Sequence, residues 1–230
     1  MEWIRENLIE IEQQIQKVCE RVGRSPKEIT LVGVCKTVDL ELIEASLSYG
    51  IEHLAENKPQ EIVRKQPLVK QPAKWHMIGN LQTNKVRQII DRVAMIQSVD
   101  SVKLAEEISK RSVAIGIEMP ILLQVNIGDE PQKGGFSEDC LLQVANQIAA
   151  LPGVSVQGLM CIAPFLEDAE AVRPYFKRMK YHFEELKKIE YNKLTMLHLS
   201  MGMTHDFDIA IEEGATMIRV GTGLYGARNY

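Results

Sequence analysis

The chain has 230 residues, 45% hydrophobic and 25% charged, which is enough apolar material for one large globular domain or two small ones. A formal net charge of −4 gives no basic face, arguing against DNA, RNA or an anionic membrane as the main partner. No apolar run reaches the length of a membrane span, the opening residues lack a small-residue cleavage site, and Cys19, Cys35, Cys140 and Cys161 form no CxxC pair; the expectation is a cytoplasmic protein with reduced thiols, no disulfide and no zinc site.

In chain order, Ile4, Leu8, Ile11, Ile15, Val18 and Val22 recur every three or four residues and lay one apolar stripe on a long opening helix, which Gly23 and Pro26 stop. The next segment, 29–36, is β-branched and apolar and reads as a buried strand ending on Lys36. Strand residues alternate faces, so Lys36 shares a side with Thr30, Val32 and Val34. A partly desolvated amine there favours its uncharged form and can condense with a carbonyl. A strand-exit lysine reaching into water fits the same pattern. Further strands are expected at 51–55, 75–78, 95–99, 121–126, 156–161, 196–200 and 217–220. Helical stretches lie between them, including 137–149 behind a Ser137 N-cap and 172–189 burying Val172, Phe176, Met179, Phe183 and Leu186.

Eight strand–helix alternations in one chain fit an α/β fold, a single (β/α)8 TIM barrel spanning 1–230 with an extra N-terminal helix; an open doubly wound sheet is the alternative. A barrel brings the C-terminal ends of its strands, Lys36 among them, to one face. Ser200-Met201-Gly202 follows the seventh strand and Gly221-Thr222-Gly223 the eighth, the loops where such barrels bind phosphate through backbone N–H groups and hydroxyls. Each is also readable as a tight turn. Arg219, two residues before Gly221, points to the same side and needs a partner: a carboxylate such as Glu56 or Asp206, or a ligand ring nitrogen or phosphate oxygen. A reactive amine, a phosphate cradle and an inward arginine together describe a pocket for pyridoxal 5′-phosphate (PLP).

Other residues carry plainer expectations. His76 and His198 read as hydrogen-bonded core or pocket-wall histidines, since neither belongs to an HxH or HExxH pattern. Asp206, Asp208, Glu212 and Glu213 read as an acidic helix start, and Lys133 as a solvated loop lysine. Met77, Met160, Met201 and Met203 suit either a pocket wall or ordinary core filling.

Several stretches carry a family resemblance: Val34-Cys35-Lys36-Thr37, Glu56-Asn57, Trp75-His76-Met77-Ile78-Gly79-Asn80-Leu81-Gln82-Thr83-Asn84-Lys85, Val125-Asn126-Ile127, Gly158-Leu159-Met160, Leu199 through Thr204, and Ile218-Arg219-Val220-Gly221. On these the chain resembles the YggS/PROSC family of pyridoxal phosphate homeostasis proteins, single-domain barrels related to the N-terminal domain of alanine racemase. The resemblance implies that Lys36 forms the Schiff base with PLP, that Ser200, Gly202, Gly221 and Thr222 hold its phosphate, that Arg219 faces the pyridine nitrogen, and that Asn57 lies beside the cofactor; of the methionines, Met160 is the one expected in the cofactor pocket. Ala55 and Lys58 depart from the family's usual Gly-Glu-Asn-Tyr, and Thr204 stands where Ser is usual. An arginine has no proton to give the ring nitrogen, which weakens PLP as an electron sink. The expectation is therefore a non-catalytic monomer that holds PLP and hands it to apo-enzymes; a racemase-like PLP enzyme and a cofactor-free barrel aldolase are the alternatives.

Overall fold

The computed structural model describes residues 1–130, 133–189 and 194–226. Strands β1 (Thr30–Val34), β2 (His53–Glu56), β3 (Lys74–Met77), β4 (Met95–Val99), β5 (Met119–Val125), β6 (Val154–Cys161), β7 (Leu194–Met203) and β8 (Met217–Val220) run parallel in sequence order. They close into a barrel, with β1 paired to both β2 and β8. Around them lie helices α1 (Glu2–Val22), α2 (Leu40–Ser48), α3 (Pro59–Lys65), α4 (Val102–Ala114), α5 (Leu141–Ala149), α6 (Arg173–Lys187), α7 (Phe207–Glu212) and α8 (Thr222–Tyr225). No open sheet is formed, which rules out the doubly wound alternative.

The apolar stripe of α1 is buried at Ile4, Leu8, Ile11, Ile15 and Val18, while Val22 is exposed where the helix ends. Gly23 closes α1 in the left-handed conformation at φ 70°, and the next N–H returns to the Cys19 carbonyl, a Schellman stop. Strands of the parallel barrel are buried on both faces, so they read in sequence as short apolar runs. The outward residues pack under the helices in one large core. Val32, Val34, Ala55, Met95, Leu122, Met160 and Met217 form a second, inner cluster inside the barrel.

Boundaries differ from the sequence reading where polar groups or turns intervene. β1 ends at Val34, so Lys36 sits in the turn beyond the strand. β7 starts two residues earlier than expected and runs on to Met203. No α-helix lies between β3 and β4; a 3-10 segment, Thr83–Gln88, makes that crossing. Ser137 caps only a 3-10 turn, Glu138–Cys140, before α5, and its hydroxyl donates to Cys140 Sγ instead of accepting from a backbone N–H. A 3-10 turn, Ala169–Val172, precedes α6, which holds Pro174 in its first turn, where a missing N–H is tolerated. Cys19, Cys35 and Cys161 are buried free thiols and Cys140 is half-buried. Among the described residues, no helix is long and apolar enough to cross a membrane.

Candidate functional site

At the C-terminal mouth of the barrel, a cleft of about 490 Å³ is lined by Lys36, Thr37, Gly221 and Thr222, with Val34 beneath and Trp3 of α1 on its outer wall. The β1–β8 pairing brings these loops together, because Val32 lies opposite Arg219 and Gly33 opposite Val220. Lys36 is half-buried, on a turn that needs help to hold its shape: Thr37 adopts a left-handed backbone at φ 63°, unusual for a β-branched residue, and its hydroxyl donates to the Lys36 carbonyl at 2.6 Å. Gly221 leads into α8. A methyl group added there would meet the Val34 carbonyl at 3.5 Å, an ordinary contact. Thr204, just past the end of β7, ties the two phosphate-candidate loops together: its hydroxyl lies 3.3 Å from that of Thr222 and accepts from the Gly223 N–H at 3.2 Å.

Below the cleft, a polar chain crosses the otherwise apolar barrel interior. The Arg219 guanidinium, 3% exposed, donates to Ser200 Oγ at 2.6 Å and to the Cys161 carbonyl at 2.7 Å. Ser200 Oγ donates to Gln97 Oε1 at 2.7 Å. Gln97 Nε2 lies 3.0 Å from His76 Nδ1, and His76 Nε2 lies 2.9 Å from His53 Nδ1. An amide nitrogen can only donate, so His76 Nδ1 must accept, its proton sits on Nε2, and that proton points at His53 Nδ1. Every donor from Arg219 to His76 therefore faces the same way along the chain. Burial, with the neighbouring His53, His198 and Lys74 charges, pulls the His76 pKa down to about 3 and holds the ring neutral. Burial also lowers Arg219 from its ordinary value, but a guanidinium starts so high that it stays charged.

The remaining sequence-predicted residues fall into two groups. Lys36, Gly221 and Thr222 meet at the cleft. Arg219, Ser200 and Met160 sit inside the barrel, with Met160 opposite Ser200 across β6 and β7. The Ser200 hydroxyl accepts from Arg219 and donates to Gln97, which ties it to the guanidinium below the mouth. Gly202 is buried at φ 89°, and a methyl there would come within 2.6 Å of Ala210 Cβ. Its glycine is required for packing against α7. Asn57 is half-buried just past β2, with its backbone pressed against Gly79.

Glu56 pairs with Lys65 and not with Arg219, and among the described residues no carboxylate forms an ion pair with Arg219. Lys133 is pinned to Glu130 at 2.6 Å and to the Ala163 carbonyl at 3.3 Å, where the sequence suggested a solvated lysine. Glu212 and Glu213 bind Arg173 at 2.6 and 2.7 Å, which accounts for the acidic end of α7 as an ion-pair hub. His76 is a hydrogen-bonded core histidine, as its sequence context suggested. Met77 and Met201 fill the outer core, Met160 the inner cluster, and Met203 is exposed at the mouth. Trp3, Gln97, His53 and Lys65 went unnoticed in the sequence, because each reads as an ordinary helix or strand residue until the barrel closes.

The buried guanidinium can meet an aromatic ring nitrogen, the Lys36 amine can meet an aldehyde, and the open Gly221–Thr222 turn can meet a phosphate. The residues present thus fit PLP. The fold and mouth together define a racemase-type barrel: the family described as alanine racemase, N-terminal domain, matches residues 7–229. Alanine racemase of Clostridium difficile, 16% identical, superposes with a TM-score of 0.76 over 99% of this chain and 60% of its own, which shows the shared fold. The chain is 44% identical to the pyridoxal phosphate homeostasis protein of Aquifex aeolicus over 98% of each chain, and it belongs to the family of pyridoxal phosphate homeostasis proteins. PipY of Synechococcus elongatus, solved with PLP bound, is 31% identical, with a TM-score of 0.84 over 97% of this chain and 100% of that one.

Proposed function

We propose that this protein is a PLP-binding homeostasis protein: a single-domain barrel over 1–230 that holds the cofactor covalently on Lys36 and passes it to apo-enzymes. The observation that carries this reading is the meeting of Lys36, Gly221 and Thr222 at one cleft above a buried Arg219. PLP supplies an aldehyde for the amine and an electron-withdrawing ring. The protein supplies the seat. Lys36 anchors the aldehyde carbon, the loops of Gly202, Gly221 and Thr222 receive the phosphate, Arg219 faces the ring nitrogen, and Met160 and Asn57 bound the ring. Ser200 joins these loops as a phosphate ligand, and its hydroxyl, bonded to Arg219 and Gln97, also steadies the guanidinium.

The protein is non-catalytic in this reading. A guanidinium does not protonate the ring nitrogen, so carbanions on the cofactor gain little stabilisation. The Tyr225 hydroxyl, which lines the same cleft as Lys36, is turned to Ser46 at 2.9 Å. Burial raises the Tyr225 pKa, which keeps it a phenol. The protein works as a monomer in the cytoplasm.

Titration with PLP should give an imine absorbance band that Lys36→Ala removes, and the loaded protein should reactivate a PLP-depleted enzyme. A native protein without a Lys36-dependent band would refute the binding reading. Robust racemisation of any common amino acid would refute the carrier reading in favour of an enzyme.

A further inference from the structure

On the outward side of β2 lies an ion pair that the cofactor reading does not use. Ala55 points into the barrel, so its neighbour Glu56 points out, toward α3. Lys65, in the last turn of α3, returns to meet it: Lys65 Nζ lies 2.6 Å from Glu56 Oε1, and both side chains are 0% exposed. The partly exposed Glu61 lies 3.5 Å from the same ammonium. Glu56 Oε2 is buried without a hydrogen-bond partner among the described residues. Burying two charges and orphaning one oxygen is a poor route to stability, since a packed apolar pair of similar volume commonly does as well or better. The contact an apolar pair could not make is the third one: Lys65 Nζ donates to the Cys35 carbonyl at 2.7 Å.

That carbonyl belongs to the peptide bond leading into Lys36. It also accepts from the Val38 N–H at 3.0 Å, and the Cys35 N–H is fixed to the Ala55 carbonyl at 3.0 Å. Lys65 therefore grips the turn from behind, just before the left-handed Thr37. Cys35, buried against Glu56, stays a thiol: burial first, and then the carboxylate, push its pKa up.

We infer that Lys65, held in place by Glu56, is a positioning residue that fixes the Lys36 turn so that its amine stands at the aldehyde. The inference rests on the reading that Lys36 carries PLP. In the bond-forming reaction, Lys36 nitrogen joins the aldehyde carbon, and the aldehyde oxygen leaves as water with the two amine hydrogens. A grip on the preceding peptide affects that reaction alone, leaving the seat for the ring and phosphate intact.

The test compares PLP with pyridoxine 5′-phosphate, which has the same ring and phosphate but an alcohol in place of the aldehyde. In Glu56→Leu/Lys65→Met, PLP affinity should fall about tenfold or more, the scale on which a misplaced reacting group loses effective concentration, while pyridoxine 5′-phosphate binds as in the native protein. Glu56→Gln, which keeps an acceptor for Lys65, should preserve the native ratio of the two affinities. Should the apolar pair not fold, Glu56→Gln/Lys65→Gln carries the same comparison: it is neutral and too short to reach Cys35. Equal weakening of both ligands, or weakening of neither, overturns the positioning role. Failure of the underlying reading is separate and shows in the native protein, as a PLP complex indifferent to Lys36→Ala.

Discussion

Replacing His76 by glutamine should flatten the acid side of the stability curve. In the folded chain His76 is held neutral, with a pKa pulled to about 3 by burial and by the nearby His53, His198 and Lys74 charges. In the unfolded chain it titrates near 6.5. A depressed folded pKa means that the unfolded state binds more protons, so stability is fully present above pH 6.5 and is lost as pH falls toward about 3. At pH 5 the unfolded histidine is protonated about 30-fold over its neutral form while the folded one is not, a loss of about 2 kcal/mol relative to pH 7. For a chain of this size that is roughly 4 to 8 °C of melting temperature. The amide introduced by His76→Gln can still accept from Gln97 and donate to His53, so the variant keeps the polar chain but removes the titration. Denaturant titrations of both proteins at pH 7 and pH 5 measure the difference. If native protein and variant lose the same stability between the two pH values, His76 is not held neutral and the assigned direction of the hydrogen-bond chain fails.

Two further outcomes follow from the mouth of the barrel. Gly202→Ala forces a side chain onto a φ of 89° and within 2.6 Å of Ala210 Cβ. It should cost about 2 to 4 kcal/mol in denaturant unfolding, and a neutral result would contradict the packing described for α7. Arg219→Glu should raise the basicity of the bound ring nitrogen and alter the absorbance spectrum of the PLP complex. An unchanged spectrum with unchanged pH dependence would remove the assigned ring contact.

Much of the architecture was legible in the sequence because period and burial coincide. The stripe of α1 shows at Ile4, Leu8, Ile11, Ile15 and Val18, and β4 and β8 occupy the expected residues because each is a short apolar run between clear breaks. Lys36 and Arg219 stood out because a charge beside buried strand residues demands an explanation. What stayed hidden depends on neighbours far apart in sequence. Gln97 joins Ser200 and His76 only when β4, β7 and β3 curve round the same interior, and no local pattern encodes that meeting. Lys65 reads locally as an exposed helix lysine in reach of Glu61, and its full burial comes from the docking of α3 on β1 and β2. The 3-10 crossing at Thr83–Gln88 contains good helix formers, so propensity alone could not have excluded an α-helix.

The seam between β1 and β8 also bears on how the molecule comes into being. Lys36 leaves the ribosome with the first strand, yet the wall facing it, Gly221 and Thr222, follows only after the eighth. Ring closure across so long a separation is a late and slow event in folding. The cleft is therefore complete only when the last stave of the barrel locks against the first.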